Sequence, residues 1–361
     1  MKIVHIIHSL RGGGIQNFIL SLAPEQATKG NNVTVIVIDK YDSDYCEPLE
    51  NILKNNNIET VRLNKKRGDK ISFINAISCC RRLIKKINPD IVNSHAEISH
   101  LYGSVATMFT NISHVLTVHN APEHWNGLLR FVSRNKPLIF CSHAAYELRQ
   151  QESNSMIAID NGISRNIVHS DDVVDLRKQN GLMPNDKVIV SAGSLRPQKN
   201  YSFLKDIVDE LKDDSYHFFV CGGGNVSEGN IDISEFKEYK NIHFLGLRSD
   251  VSAIENGADL FLSCASFEGL PIAVLEAYFN GIPCVLSPIE QHQKISAVER
   301  VWIPSDFTAS AFVRSIKEAF NNLGNHDDIY KLRIPQIAQY SISKTAVKYE
   351  EFYSTVINSK W

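Results

Sequence analysis

Apolar residues fall along this chain in short bursts, separated by longer stretches in which apolar positions recur at helical spacing. Ile3–Ile7, Val33–Ile38, Ile91–Val92, Val115–Val118 and Leu138–Cys141 form a first series. Val188–Ser191, Phe218–Cys221, His243–Leu245, Leu260–Leu262 and Cys284–Leu286 form a second. The bursts are nearly continuous and rich in β-branched residues, not alternating, which is the pattern of strands covered on both faces. Helical spacing predicts helices over Gln16–Ala27, Phe73–Ile87, Tyr201–Leu211, Ile272–Asn280, Ala309–Asn322 and Tyr349–Ile357. Repeated strand–helix units predict parallel sheets with helices on both faces. The rhythm pauses at Asp160–Gly162 and Ser170–Asp172 and resumes only at Lys187–Val190, so a linker is expected near residues 160–172. The fold expected is α/β, with two Rossmann-like doubly wound domains over residues 1–165 and 166–340.

The length of 361 residues, with 43% hydrophobic and 22% charged, suits two ordinary globular domains with real cores. No stretch approaches the roughly 20 apolar residues that span a bilayer. Met1–His8 lacks a basic leader and reads as a first strand, not a secretion signal. Seven cysteines at irregular spacing, with no C-x-x-C, argue against a disulfide framework or a zinc site and for a reducing cytoplasm. The net charge of −2 divides unevenly: residues 1–165 carry 19 basic and 14 acidic side chains, the remainder 19 and 26. The first half alone is therefore suited to an anionic surface.

The strongest chemical signal is Phe267-Glu268-Gly269-Leu270-Pro271-Ile272-Ala273-Val274-Leu275-Glu276-Ala277, directly after the strand that ends near Ser263. Gly269 permits close backbone approach, and Pro271 suits a first helical position. Glu268 then lies in the loop and Glu276 in the early helix, its side chain leaning back toward the N-terminus. Helix-start amides between them form a diphosphate cradle. Carboxylates accept hydrogen bonds from ribose and sugar hydroxyls, so each acid serves one sugar with phosphates between.

That stretch resembles the two-glutamate signature of retaining glycosyltransferase family 4, whose members have the GT-B fold of two Rossmann-like domains facing across a cleft. The resemblance extends through Gly12-Gly13-Gly14, Leu116-Thr117-Val118-His119-Asn120, Cys141-Ser142, Asn161-Gly162, Ser191 to Asn200, Phe244-Leu245-Gly246 and Gly281-Ile282-Pro283. It implies that Glu268 contacts the donor sugar and Glu276 the ribose. It implies that His119 lies beside the donor sugar, and that the loop holding Gly13 and Gly14 covers the donor phosphates. Asn161, Gly222, Leu247, Gly269, Leu270 and Pro271 complete the implied donor set. It further implies that the last helix, within 341–361, crosses back to the first domain.

Arg196 and Lys199 follow the strand Val188–Ser191 and precede a helix. Cations there offset charge thrown onto a leaving diphosphate, which suits a metal-independent enzyme. The family often places its arginine directly after the glycine, where this chain has Ser194; Arg196 stands two positions later. His119, Arg196, Lys199 and Glu268 are the expected catalytic set. His5, His8, His95, His114, His119 and His124 make no recognised metal motif, and no metal ligand is assigned. Val61–Ile87 holds nine basic residues against Asp69. Phe73, Ile77, Ile84 and Ile87 fall on one helical face and Arg81, Arg82, Lys85 and Lys86 on the other, which suits equally a solvated helix or an anionic membrane surface. No aromatic platform accompanies the charge, so nucleic acid is not expected.

The expected function is retaining transfer of a sugar, from a UDP-sugar before other donors, with no cofactor. The acceptor is a glycan or lipid-linked oligosaccharide in exopolysaccharide, capsule or O-antigen synthesis, at the cytoplasmic face of the membrane. Rival readings are a nucleotide-sugar epimerase of the same fold, an NAD-dependent oxidoreductase built on Gly12–Gly14 and Asp39, and a two-lobed sugar-binding protein.

Overall fold

The structure is a computed structural model that describes the chain except residues 12–13, 41–42, 67, 120–124, 148, 150–152, 154, 165–170, 225, 227–228, 269 and 360–361, and the side chains of 43–45 and 144. It forms two compact units, Met1–Gly162 with Tyr340–Trp361, and Ile163–Gln339. The expected boundary at residue 165 falls on residues outside the description.

The first unit contains β1 (Lys2–Ile7), α1 (Gly14–Thr28), β2 (Asn32–Asp39), α2 (Ser43–Asn55), β3 (Glu59–Lys65), α3 (Lys70–Ile87), β4 (Ile91–His95) and α4 (Glu97–Thr107). There follow β5 (Ser113–Val118), α5 (Gly127–Val132), β6 (Leu138–Phe140), α6 (His143–Glu147) and β7 (Met156–Ala158). The strands are parallel in the order β3-β2-β1-β4-β5-β6-β7. Apolar side chains cover the sheet as the continuous bursts require: Ala76, Cys80 and Ile84 of α3 pack with Val4, Ile36 and Val92. Asp69 starts α3 by accepting the amides of Ile71 and Ser72 at 2.9 and 3.0 Å, and left-handed Asn88 ends it.

The second unit contains α7 (Leu176–Gln179), β8 (Lys187–Ala192), α8 (Phe203–Leu211), β9 (Tyr216–Cys221), β10 (Ile242–Gly246), α9 (Val251–Asn256) and β11 (Leu260–Ser263). It continues with α10 (Ile272–Phe279), β12 (Cys284–Leu286), α11 (Glu290–Ile295), β13 (Val301–Trp302), α12 (Ala309–Asn321) and α13 (His326–Ile337). Its parallel strands run β10-β9-β8-β11-β12-β13. Both sheets therefore reverse direction of growth beside their first strand, the point at which doubly wound sheets bind ligands.

The last helix, α14 (Ile342–Asn358), packs on α1 within the first unit. Asn93 donates to Tyr353 Oη at 2.6 Å, and Thr345 donates to the Asp160 carbonyl at 3.0 Å. Gly162 is required beneath it, since a Cβ there would stand 2.6 Å from Thr345 Oγ1.

Apolar periodicity does not reveal β3, β7, β13, α2 or α4. β3 is an edge strand, mostly half-exposed and carrying Arg62 and Lys65. β7 and β13 are short, and α2 contains Pro48. α4 buries eight of its 11 residues, so no polar face marks its period. The basic segment also differs from expectation, because it spans β3 and α3 and several cations are engaged. Arg62 binds Glu50 at 2.6 Å, and Lys65 lies 3.7 Å from Asp39. Arg81 is not on the solvated face of α3; its Nη1 donates to the Val105 carbonyl at 2.7 Å, tying α3 to α4. Arg67 lies outside the described residues. Among the described residues no helix is long and apolar enough to cross a membrane.

Arg333 of α13 is fully buried and fastens the far end of α10. It donates to the carbonyls of Glu299, Ile282 and Arg300 at 2.9, 2.9 and 3.2 Å, with its guanidinium 5.0 Å over the Tyr278 ring. Arg333→Leu leaves those buried acceptors unpaired and is expected to cost on the order of 3 kcal/mol, read as a lowered urea midpoint; an unchanged midpoint would show the clamp to be idle.

Candidate active site

β8 and β11 lie side by side, with Leu260 opposite Ile189 and Phe261 opposite Val190. The loops leaving their carboxyl ends emerge together, at the sheet's switch point. Two contacts fasten them: the Ser266 amide donates to the Gln198 carbonyl at 2.9 Å, and Ser191 Oγ donates to the Leu262 carbonyl at 2.6 Å. A single 3₁₀ turn, Pro197–Lys199, closed by left-handed Asn200, turns Lys199 inward. Lys199 Nζ donates to Glu268 Oε1 at 2.5 Å, with the two side chains only 17% and 7% exposed. The pair lines a pocket with Tyr201, Ser263, Pro271 and Ala273, at the start of α10. A cation and a carboxylate so enclosed hold each other in place while water is largely excluded, which strengthens their effect on anything that binds there.

The glycines around the pocket serve backbone approach. A Cβ on Gly222 would collide with the Gly193 carbonyl oxygen, and one on Gly223 would stand 2.6 Å from Leu247 Cγ. Gly222 and Leu247 are thus in the packing of the β8, β9 and β10 loops, with Leu247 46% exposed. Leu270 is half-buried, and its carbonyl accepts from the Ile272 amide at 2.9 Å. Gly269 lies outside the described residues, as do Gly12 and Gly13; Gly14 is the first residue of α1.

The expected cations part company. Lys199 faces Glu268, whereas Arg196 is exposed ahead of the 3₁₀ turn. Glu276 is half-buried on α10 and is not among the residues lining the pocket. Its charge acts on Glu255 of α9. Burial, reinforced by the Glu276 charge, pushes the Glu255 carboxyl up to about 8 against the opposing hydrogen bond from Asn280 Nδ2 at 2.6 Å.

In the first unit His119 follows β5 and is buried. Its Nε2 lies 2.9 Å from His95 Nδ1, and its Nδ1 lies 3.5 Å from Asn161 Nδ2. His95, given no role by spacing along the chain, is thus its neighbour, with His5 beyond it; the adjacency of β1, β4 and β5 was the signal that sequence spacing omits. Asp39 is engaged by His8 at 3.2 Å and by Lys65. Burial would raise its carboxyl, but His8 and Lys65 outweigh that and hold it below the usual range. A carboxylate so occupied is poorly placed to bind the ribose of a dinucleotide.

Residues 172–331 match the family described as glycosyl transferases group 1, and residues 12–191 match glycosyltransferase family 4. A UDP-Gal:alpha-D-GlcNAc-diphosphoundecaprenol alpha-1,3-galactosyltransferase of Escherichia coli is 25% identical over 232 residues, 58% of this chain and 60% of the relative. The O-antigen biosynthesis glycosyltransferase WbnH of E. coli is 25% identical over 58% of this chain and 61% of its own. The chain thus aligns with about three-fifths of each. Among solved structures, Anabaena Alr3699/HepE in complex with UDP and glucose superposes with a TM-score of 0.76 at 15% identity, over 98% of this chain and 99% of that one. A glycosyltransferase from Rickettsia africae ESF-5 superposes with a TM-score of 0.72 at 17% identity, over 99% and 98%. These likenesses are of fold.

An acid held above its solution pKa binds its proton more tightly folded than unfolded. Glu255 therefore contributes its stabilisation fully below pH 4.5 and loses it as pH rises toward about 8. Thermal melts are expected to fall across that window and to flatten in Glu255→Gln; an equally steep slope in the variant would remove Glu255 as the cause.

Proposed function

The chain belongs to glycosyltransferase family 4, and from that premise we propose that it moves a sugar from a nucleoside-diphosphate donor, a UDP-sugar first, to a glycan or lipid-linked acceptor in bacterial surface-polysaccharide synthesis. The unit Ile163–Gln339 binds the donor, and the unit built on Met1–Gly162 binds the acceptor. The anomeric carbon loses its bond to the diphosphate oxygen, whose electron pair stays with the leaving group. The acceptor oxygen bonds to that carbon with retained configuration as its proton passes to the departing diphosphate. The buried Lys199–Glu268 pair at the switch point carries this reading. Lys199, aided by Arg196, offsets charge on the departing diphosphate without a metal ion. Glu268 holds the donor sugar, Glu276 the ribose, and the amides at the start of α10 the diphosphate.

The names of the relatives, a diphosphoundecaprenol-directed galactosyltransferase and an O-antigen enzyme, support the acceptor class. A lipid-linked acceptor places the protein against the cytoplasmic face of a membrane. Lys66, Lys70, Arg82, Lys85 and Lys86 are exposed, and Ile71 and Ile74 on the same helix as the last four are 72% and 65% exposed. Apolar and cationic side chains displayed together suit an anionic lipid surface.

Thermal shifts with UDP, ADP, GDP and NAD test the donor class, and stabilisation by NAD alone would sink it. An epimerase would convert the donor without any acceptor, which separates that rival. Glu276→Ala is expected to weaken UDP binding, whereas Lys199→Ala mainly lowers turnover, by about 100-fold or more; equal effects on affinity and turnover in both variants would count against these roles. Replacing Arg82, Lys85 and Lys86 by Gln is expected to abolish sedimentation with anionic vesicles at physiological salt, while Arg81→Gln alone leaves it intact. Unchanged binding of the triple variant would end the membrane proposal.

A further inference from the structure

Three histidines, two on the adjacent strands β1 and β4 and one just after β5 of the first unit, are joined in series. His5 Nε2 lies 2.8 Å from Gln26 Oε1, His5 Nδ1 lies 3.0 Å from His95 Nε2, and His95 Nδ1 lies 2.9 Å from His119 Nε2. His5 and His95 are fully enclosed and His119 is only 9% exposed. Phe18 stands edge-on to His119 at 5.5 Å and lies 6.3 Å from His95, helping to close the row from water.

The polarity of this row follows from counting protons. Gln26 Oε1 only accepts, so His5 Nε2 carries a proton. A neutral imidazole holds one N–H, which leaves His5 Nδ1 bare and able only to accept from His95 Nε2. The same step passes to the next ring: His95 Nδ1 is bare and accepts from His119 Nε2–H. Three neutral rings hold three protons, and the three bonds use them all. Burial, the first cause for each, holds all three rings in the neutral form, with His5 lowered to about 4 and His119 to about 3.

We infer that Gln26, acting through His5 and His95, holds His119 in the tautomer with Nε2 protonated and Nδ1 bare. Gln26, His5 and His95 are positioning residues, since none of them need touch a ligand. His119 Nδ1 then presents an acceptor, consistent with Asn161 Nδ2 approaching it at 3.5 Å. Asn161 Oδ1 is buried and has no hydrogen-bond partner among the described residues, so the amide that donates to His119 Nδ1 leaves its own oxygen as the free acceptor.

The test is nitrogen NMR of the full chain labelled with ¹⁵N, which reports the tautomer without any substrate. In the wild type, His119 Nδ1 is expected to show the bare-nitrogen signature, with couplings across the His5–His95 and His95–His119 bonds. Gln26→Met, which lacks the oxygen acceptor, is expected to shift His119 Nδ1 toward the protonated signature; Gln26→Glu, which keeps one, is expected to preserve the bare form. A protonated Nδ1 in the wild type, or a wild-type pattern in Gln26→Met, overturns the inference. Should Gln26→Met fail to fold, the wild-type couplings decide it alone.

Discussion

Lys199 and Glu268 stand 69 residues apart, yet one ammonium–carboxylate contact joins them where little water reaches. Nothing local brings them together. The pairing of β8 with β11 does so, because parallel neighbours release their following loops at the same edge of the sheet. Once those loops are fastened through Ser266 and Gln198, the cation and the carboxylate have few other places to go. The glycine requirement at 222, where a Cβ would collide with the Gly193 carbonyl, answers to the same crowding. So does the buried guanidinium of Arg333, which steadies the helix whose start borders the pocket.

The first unit repeats the topology with different chemistry at its switch point. There the edge carries imidazoles in place of a salt bridge, and the row from Gln26 to His119 exchanges hydrogen bonds, not charge. Desolvation explains the difference: three enclosed imidazoles are stable only if neutral, and neutral rings in series acquire a direction from whichever end is anchored. The second unit buries charge because each charge has a partner at contact distance.

Charge counted along the chain overstated the basic surface of residues 61–87. Arg62, Lys65 and Arg81 are spent on Glu50, Asp39 and the Val105 carbonyl, which are structural contacts between neighbouring elements. What faces solvent is a smaller group of cations beside two isoleucines on α3. That combination bears on lipid more directly than the total charge does.

The residues alone determined the fold class, the two-part rhythm of strands and helices, and the position of the glutamate segment at a strand-to-helix turn. These are legible because burial on both faces of a parallel strand demands unbroken apolar runs, and because turn residues act locally. The edge strands β3, β7 and β13 and the enclosed helix α4 escaped notice, since half-exposed or wholly buried elements carry no clear period. Tertiary structure alone decided which expected site residues meet. It placed Lys199 on Glu268 and left Arg196 in solvent, and it lined up His5, His95 and His119 from three strands. Those outcomes depend on strand order, a long-range property: hydrogen-bonded neighbours in a sheet are chosen by packing across the whole domain and leave no mark in the spacing of residues along the chain.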